Sequence, residues 1–106
     1  MVKRYYKVIW DDEAKASLRR IYNYIRKRES KEQAARVRSE IKKEGDSLGF
    51  IPHKYASDPF MEKDPRDIHY RIIWSYRIIY QITKENIAIL DVIHTSQSPE
   101  NMRLVR

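Results

Sequence analysis

Apolar positions change their spacing twice along this chain, and each change marks an element. Residues 4 to 10, RYYKVIW, are aromatic and β-branched and run into Asp11, Asp12 and Glu13, an acidic cluster suited to the positive end of a helix. A strand and then a helix are expected. Ala14, Leu18, Ile21 and Ile25 recur at i, i+4, i+7 and i+11 with Tyr22 beside them, which predicts an amphipathic helix from Asp12 to Arg28. Ser30 with Gln33 three residues on has the form of a capping box. Ala34, Val37, Ile41 and Leu48 continue the helical spacing up to Gly49, which can close the helix. Gly45 falls on the apolar face of this second helix, where it costs about 1 kcal/mol relative to Ala, so a close approach by a neighbouring element is expected there. With so short a link, the two helices form a hairpin.

From Phe50 to Asp67 the pattern breaks, because Pro52, Pro59 and Pro65 forbid a continuous helix. The spacing then shifts to that of strands: Ile68 to Trp74, Arg77 to Thr83 and Asn86 to His94, with a very short turn at Ser75 and Tyr76 and a polar turn around Lys84 and Glu85. The tail from Thr95 to Arg106 is polar and expected to fray. These elements predict an α+β fold: an N-terminal strand, then a helical hairpin packed on an antiparallel β-sheet, with the first strand at an edge.

Composition narrows the setting. A length of 106 residues fits one domain, 1–106, and 42% apolar with 35% charged residues describes a globular chain with a heavily solvated surface. The formal charge of +7 favours an acidic partner without choosing among nucleic acid, lipid and protein. The chain has no apolar run long enough for a bilayer, and its start lacks the apolar core of a signal peptide. A cytoplasmic protein without membrane contact is expected. The absence of cysteine removes disulfides, thiolate metal sites and cysteine nucleophiles together.

Arg71, Arg77 and His94 are the candidate chemistry, since charged groups among isoleucines need partners and an anion is one. Register decides whether they act together. A two-residue hairpin loop after Trp74 sets the two arginines on opposite faces; a three-residue loop puts both on one face. With a four-residue turn from Thr83 to Asn86, Arg77 opposes Val92 and His94 joins that face. Such a patch suits RNA cleavage by the 2′-hydroxyl: guanidinium groups stabilise the phosphorane charge and an imidazole moves a proton, with no metal or cofactor required. Equally, Arg77 can pair with Asp91 or Glu85, and His94 can be a hydrogen-bonded residue at a sheet end. Arg19, Arg20, Arg26, Lys27, Arg28 and Lys31 form a second basic concentration, readable as a solvated helix face or as a phosphate-backbone contact. In the proline-rich segment, Lys54 and Tyr55 are candidates for phosphate contact and base stacking.

The segments YRIIYQI and IAILDVIHTSQSPENM resemble the RelE/ParE superfamily of toxins from bacterial type II toxin-antitoxin systems. The opening VIWDDEAKASLRRIYNYI resembles that superfamily's first strand and helix, so the likeness covers nearly the whole chain. It implies a toxin neutralised by a cognate antitoxin. Its implied activity is ribosome-dependent mRNA cleavage, or alternatively inhibition of DNA gyrase by ParE-like members, which lack the nuclease residues. By resemblance, Arg77 stands where nucleases carry a phosphate-binding arginine, Arg71 resembles the first of two strand lysines, and His94 lies near the YoeB-like histidine. The chain departs from the nuclease pattern at Ile73, in place of the second lysine, and in having no tyrosine after His94. Ribosome-dependent cleavage with Arg77, Arg71 and His94 is the leading expectation.

Overall fold

The computed structural model describes residues 6–50 and 66–95. Strand β1 (Lys7–Trp10) leads into helix α1 (Asp12–Arg28), and after Glu29 and Ser30 comes helix α2 (Lys31–Asp46), closed by a 3₁₀ turn at Ser47–Gly49. Strands β2 (Ile68–Ile73), β3 (Tyr76–Ile82) and β4 (Asn86–His94) follow. The sheet order is β1-β4-β3-β2. β1 sits at an edge as expected, but pairs parallel with β4 from Lys7↔Asn86 to Trp10↔Ile89, so the sheet is mixed.

Both helix boundaries have local causes. The Gln33 N–H donates to Ser30 Oγ at 3.0 Å, which satisfies one of the open donors at the start of α2. Asp12 and Glu13 occupy the first turn of α1 and Arg26, Lys27 and Arg28 its last, matching the helix dipole at both ends. The two helices are also joined side to side, with the Arg38 guanidinium 4.4 Å over the Tyr22 ring.

The main core lies between the helical hairpin and one face of the sheet. Ala14, Leu18, Ile25, Ala34, Val37 and Ile41 from the helices meet Trp10, Ile78, Tyr80, Ile82, Ile87, Ile89 and Val92 from the strands. Ile68, Ile79, Leu90 and Ile93 form a second buried cluster, set on the opposite face by strand alternation. β4 is therefore buried on both sides, which is why its sequence reads as an almost unbroken apolar run.

One polar contact ties the end of α2 to β1, and a second residue of the same helix holds its acceptor. The Trp10 Nε1–H donates to Asp46 Oδ1 at 2.9 Å, and Lys42 Nζ reaches the other oxygen of the same carboxylate at 3.0 Å. Between them lies Gly45. A Cβ placed there would collide with the Trp10 indole and approach Ile89 Cδ1 to 2.9 Å, which is the close approach that its place on the apolar helix face predicts. Gly45→Ala should therefore destabilise the fold by about 1–3 kcal/mol through overpacking, against a helix-propensity gain of about 1 kcal/mol. Urea denaturation followed by tryptophan fluorescence measures this; a stabilised variant would show that the indole yields freely.

Candidate functional site

Where each charged side chain of the sheet ends up follows from two details of register. The β2–β3 loop has two residues, Trp74 and Ser75, and pairs Ile73 with Tyr76, Ile72 with Arg77 and Arg71 with Ile78. The turn thus falls one residue earlier than the expected Ser75–Tyr76, and the three-residue loop that would unite the arginines does not form. Arg71 lies on the helix side and Arg77 on the far side.

The second detail is a bulge in β4. The turn after β3 has the expected span, held by the Thr83 N–H and Oγ1–H donating to Asn86 O at 2.9 and 3.0 Å. Tyr80 pairs with Ile89 but Ile79 pairs with Asp91, leaving Leu90 as the extra residue. Arg77 consequently opposes Ile93, where an unbulged ladder would give it Val92. That shift moves His94 to the helix side opposite Tyr76 and away from Arg77's face. The expected shared patch of Arg71, Arg77 and His94 is therefore not assembled.

The three groups occupy different surroundings. Arg71 Nε donates to Glu44 Oε2 at 3.0 Å and its Nη1 donates to Ile72 O at 2.9 Å, so it acts as a clasp between β2 and α2. The guanidinium of Arg77 stands 4.4 Å over the Tyr70 ring on the far face. His94 is exposed at the end of β4, edge-on to Tyr76 with ring centroids 5.5 Å apart. Of the helix residues singled out for nucleic acid, Arg19, Arg26 and Lys27 are exposed. Arg20 is engaged, donating to Ser17 Oγ at 2.7 Å and to Glu13 Oε2 at 3.3 Å. Lys54 and Tyr55 lie outside the described residues. A groove of about 590 Å³ on α2, lined by Leu18, Arg38, Ser39, Lys42, Lys43 and Asp46, is basic, but Arg38 and Lys42 are already held by Tyr22 and Asp46.

Asp91 is what the sequence reading missed. The sequence offers it as an ion-pair partner for Arg77, but its Oδ1 accepts from the Ser17 Oγ–H at 2.5 Å and from the Val92 N–H at 2.8 Å. The bulge breaks the alternation and lets this side chain reach α1. With Arg20 and Glu13 it forms a polar chain from solvent into the core. A lone acid in the apolar run ILDVI was the available signal. Burial pushes the Asp91 carboxyl above the ordinary carboxylate range, partly offset by the hydrogen bonds from Ser17 and Val92; Glu13 adds to the rise and Arg20 opposes it.

With this geometry in place, the kinship of the chain is clear. Residues 8–99 match the family model of the ParE toxin of the type II toxin-antitoxin system parDE, so the chain belongs to that family. A chain from the chromosomal ParDE system of P. aeruginosa has the same fold, with a TM-score of 0.72 at 19% identity, over 84% of this chain and 95% of its own. No curated protein matches significantly.

The raised Asp91 pKa fixes the sign of a pH effect. The folded state holds this proton more tightly than the unfolded chain, so the associated stability is present at low pH and lost as pH rises from the ordinary carboxylate range through the folded value. Asp91→Asn keeps the acceptor oxygen and removes the charge. Its stability relative to the parent should therefore improve as pH rises from the ordinary carboxylate range through the folded value. Urea midpoints across that interval test it; a constant difference would mean that Asp91 does not titrate there.

Proposed function

We propose that this toxin acts on DNA gyrase as a protein ligand, in place of the ribosome-dependent mRNA cleavage that the strand arginines and His94 first suggested. Membership of the ParE family supports this reading, and the observation that carries it is the separation of Arg71 from Arg77 across the sheet. Phosphorane stabilisation needs donors converging on one phosphate with a proton-transfer group beside them. Here one guanidinium serves Glu44, another faces the far side, and the imidazole stands at a strand end. Among the described residues, these three side chains do not converge on one anion.

A gyrase ligand needs only a complementary surface. The exposed cations of α1, Arg19, Arg26 and Lys27, suit an acidic protein face and would speed encounter more than they tighten the complex. A cognate antitoxin belongs to the same reading: an acidic, partly apolar segment that offsets the +7 charge and masks the basic surface.

Purified protein should inhibit gyrase supercoiling while leaving mRNA intact in a reconstituted translation reaction. Arg71→Ala should lower stability by about 1 kcal/mol through loss of the Glu44 contact and leave gyrase inhibition unchanged. Ribosome-dependent mRNA cuts that vanish in Arg77→Ala would overturn the gyrase reading.

A further inference from the structure

One end of the molecule, where α1 stops, the β2–β3 loop turns and β4 finishes, gathers aromatic side chains that the core leaves in water. Trp74, the first loop residue, has a φ of 52° and is 54% exposed. Positive φ suits the tight turn, but glycine is its natural occupant, because a Cβ is disfavoured there. This loop therefore carries both backbone strain and an indole facing solvent. Packing explains neither.

The neighbouring elements add to the same surface. The Thr95 N–H donates to Ser75 O at 2.8 Å, tying the end of β4 to the loop. His94, exposed, meets Tyr76 edge-on. The Tyr76 hydroxyl lies within electrostatic reach of Tyr24 and Glu29, which brings the C-terminal end of α1 to the same place. Tyr24 is 60% exposed, with the Arg28 guanidinium 5.4 Å over its ring. Arg26, Lys27 and Lys31 are exposed on the adjoining helix ends.

Trp, Tyr and Arg are the residue types that dominate binding energy at protein interfaces, and strained backbone outside the core collects at sites of recognition. The surrounding cations call for an acidic partner. Single-stranded nucleic acid would need a run of open ring faces. Among the described residues this end offers no such run: Arg28 covers one face of Tyr24, and Tyr76 is half-buried and meets His94 at its edge.

We propose that this end, centred on Trp74 and Tyr24, is the surface by which the toxin grips an acidic face of its target protein. The identity of that target rests on the gyrase reading; the surface itself does not. Trp74→Gly is the informative variant, since it removes the indole and relieves the strained backbone at once. Its urea midpoint should equal or exceed that of the parent, while binding to purified gyrase weakens at least about thirtyfold. Supercoiling inhibition and growth arrest on expression should fall with it, and Tyr24→Ala should move in the same direction.

Equal gyrase inhibition by parent and Trp74→Gly would overturn the surface and leave the gyrase reading standing. If the parent does not touch gyrase, that reading fails and growth arrest decides the surface: arrest lost in the folded Trp74→Gly supports it, arrest retained overturns it. Quenching of Trp74 fluorescence by single-stranded RNA at physiological salt, with gyrase binding unaffected by Trp74→Gly, would replace the protein partner by nucleic acid. A self-association abolished by Trp74→Gly, again with gyrase binding intact, would assign the patch to a second copy of this chain.

Discussion

Strand side chains alternate between two faces, so inserting one residue into β4 exchanges the faces of everything beyond it, and the bulge at Leu90 makes that exchange in the middle of the sheet. Before the bulge, Ile87 and Ile89 face the helices; beyond it, Val92 and His94 do. The packing on both sides depends on this shift. It lets Val92 join the helix-facing core while Leu90 and Ile93 fill the cluster behind the sheet. It also frees Asp91 from strict alternation, so that a carboxylate in the middle of an apolar strand can find the Ser17 hydroxyl. A straight β4 would turn His94 away from Tyr76 and face Arg77 with Val92.

That dependence explains which parts of the sequence were readable. Periodicity placed α1 at its observed bounds and β4 at its own, and Ser30 marked the start of α2 through a cap that forms as its spacing implies. Gly45 announced a close contact, because a glycine on an apolar helix face has few other reasons to be there. These signals are local, carried by the residues that make the structure. Register is not local. Whether the loop after β2 begins at Trp74 or Ser75 depends on which pairing buries the most surface, and Trp is a poor advertisement for a residue at positive φ. The bulge at Leu90 has no mark in the letters beyond an acid where an isoleucine would fit. The fold class was therefore legible while the candidate site, which required two registers to be right together, was not.

The same reasoning separates fold from activity. A nuclease and a gyrase ligand can share this sheet and hairpin, because the scaffold sets only where side chains may stand. Arg71 illustrates the point: the same guanidinium that could hold a phosphate instead holds Glu44 and fastens β2 to α2. Its value there is modest, since both partners remain partly open to water. Two of its donors, on Nε and Nη1, are engaged by Glu44 and by the Ile72 carbonyl.

The parallel pairing of β1 with β4 has a consequence for how the chain comes together. Lys7 must wait for Asn86, so β1, the first of the described strands to be synthesised, has no strand partner among them until β4, the last of them, exists. The helical hairpin can form early from neighbouring residues, but the sheet it covers is closed only by a contact spanning most of the sequence, the kind that slows folding and makes it all-or-none. A nascent chain halted before β4 would thus hold the helix pair and the β2–β3 hairpin without Ile87, Ile89 and Val92 from the main core, and without the strand that joins β1 to β3. Toxicity, on this topology, would arrive only when β4 is in place.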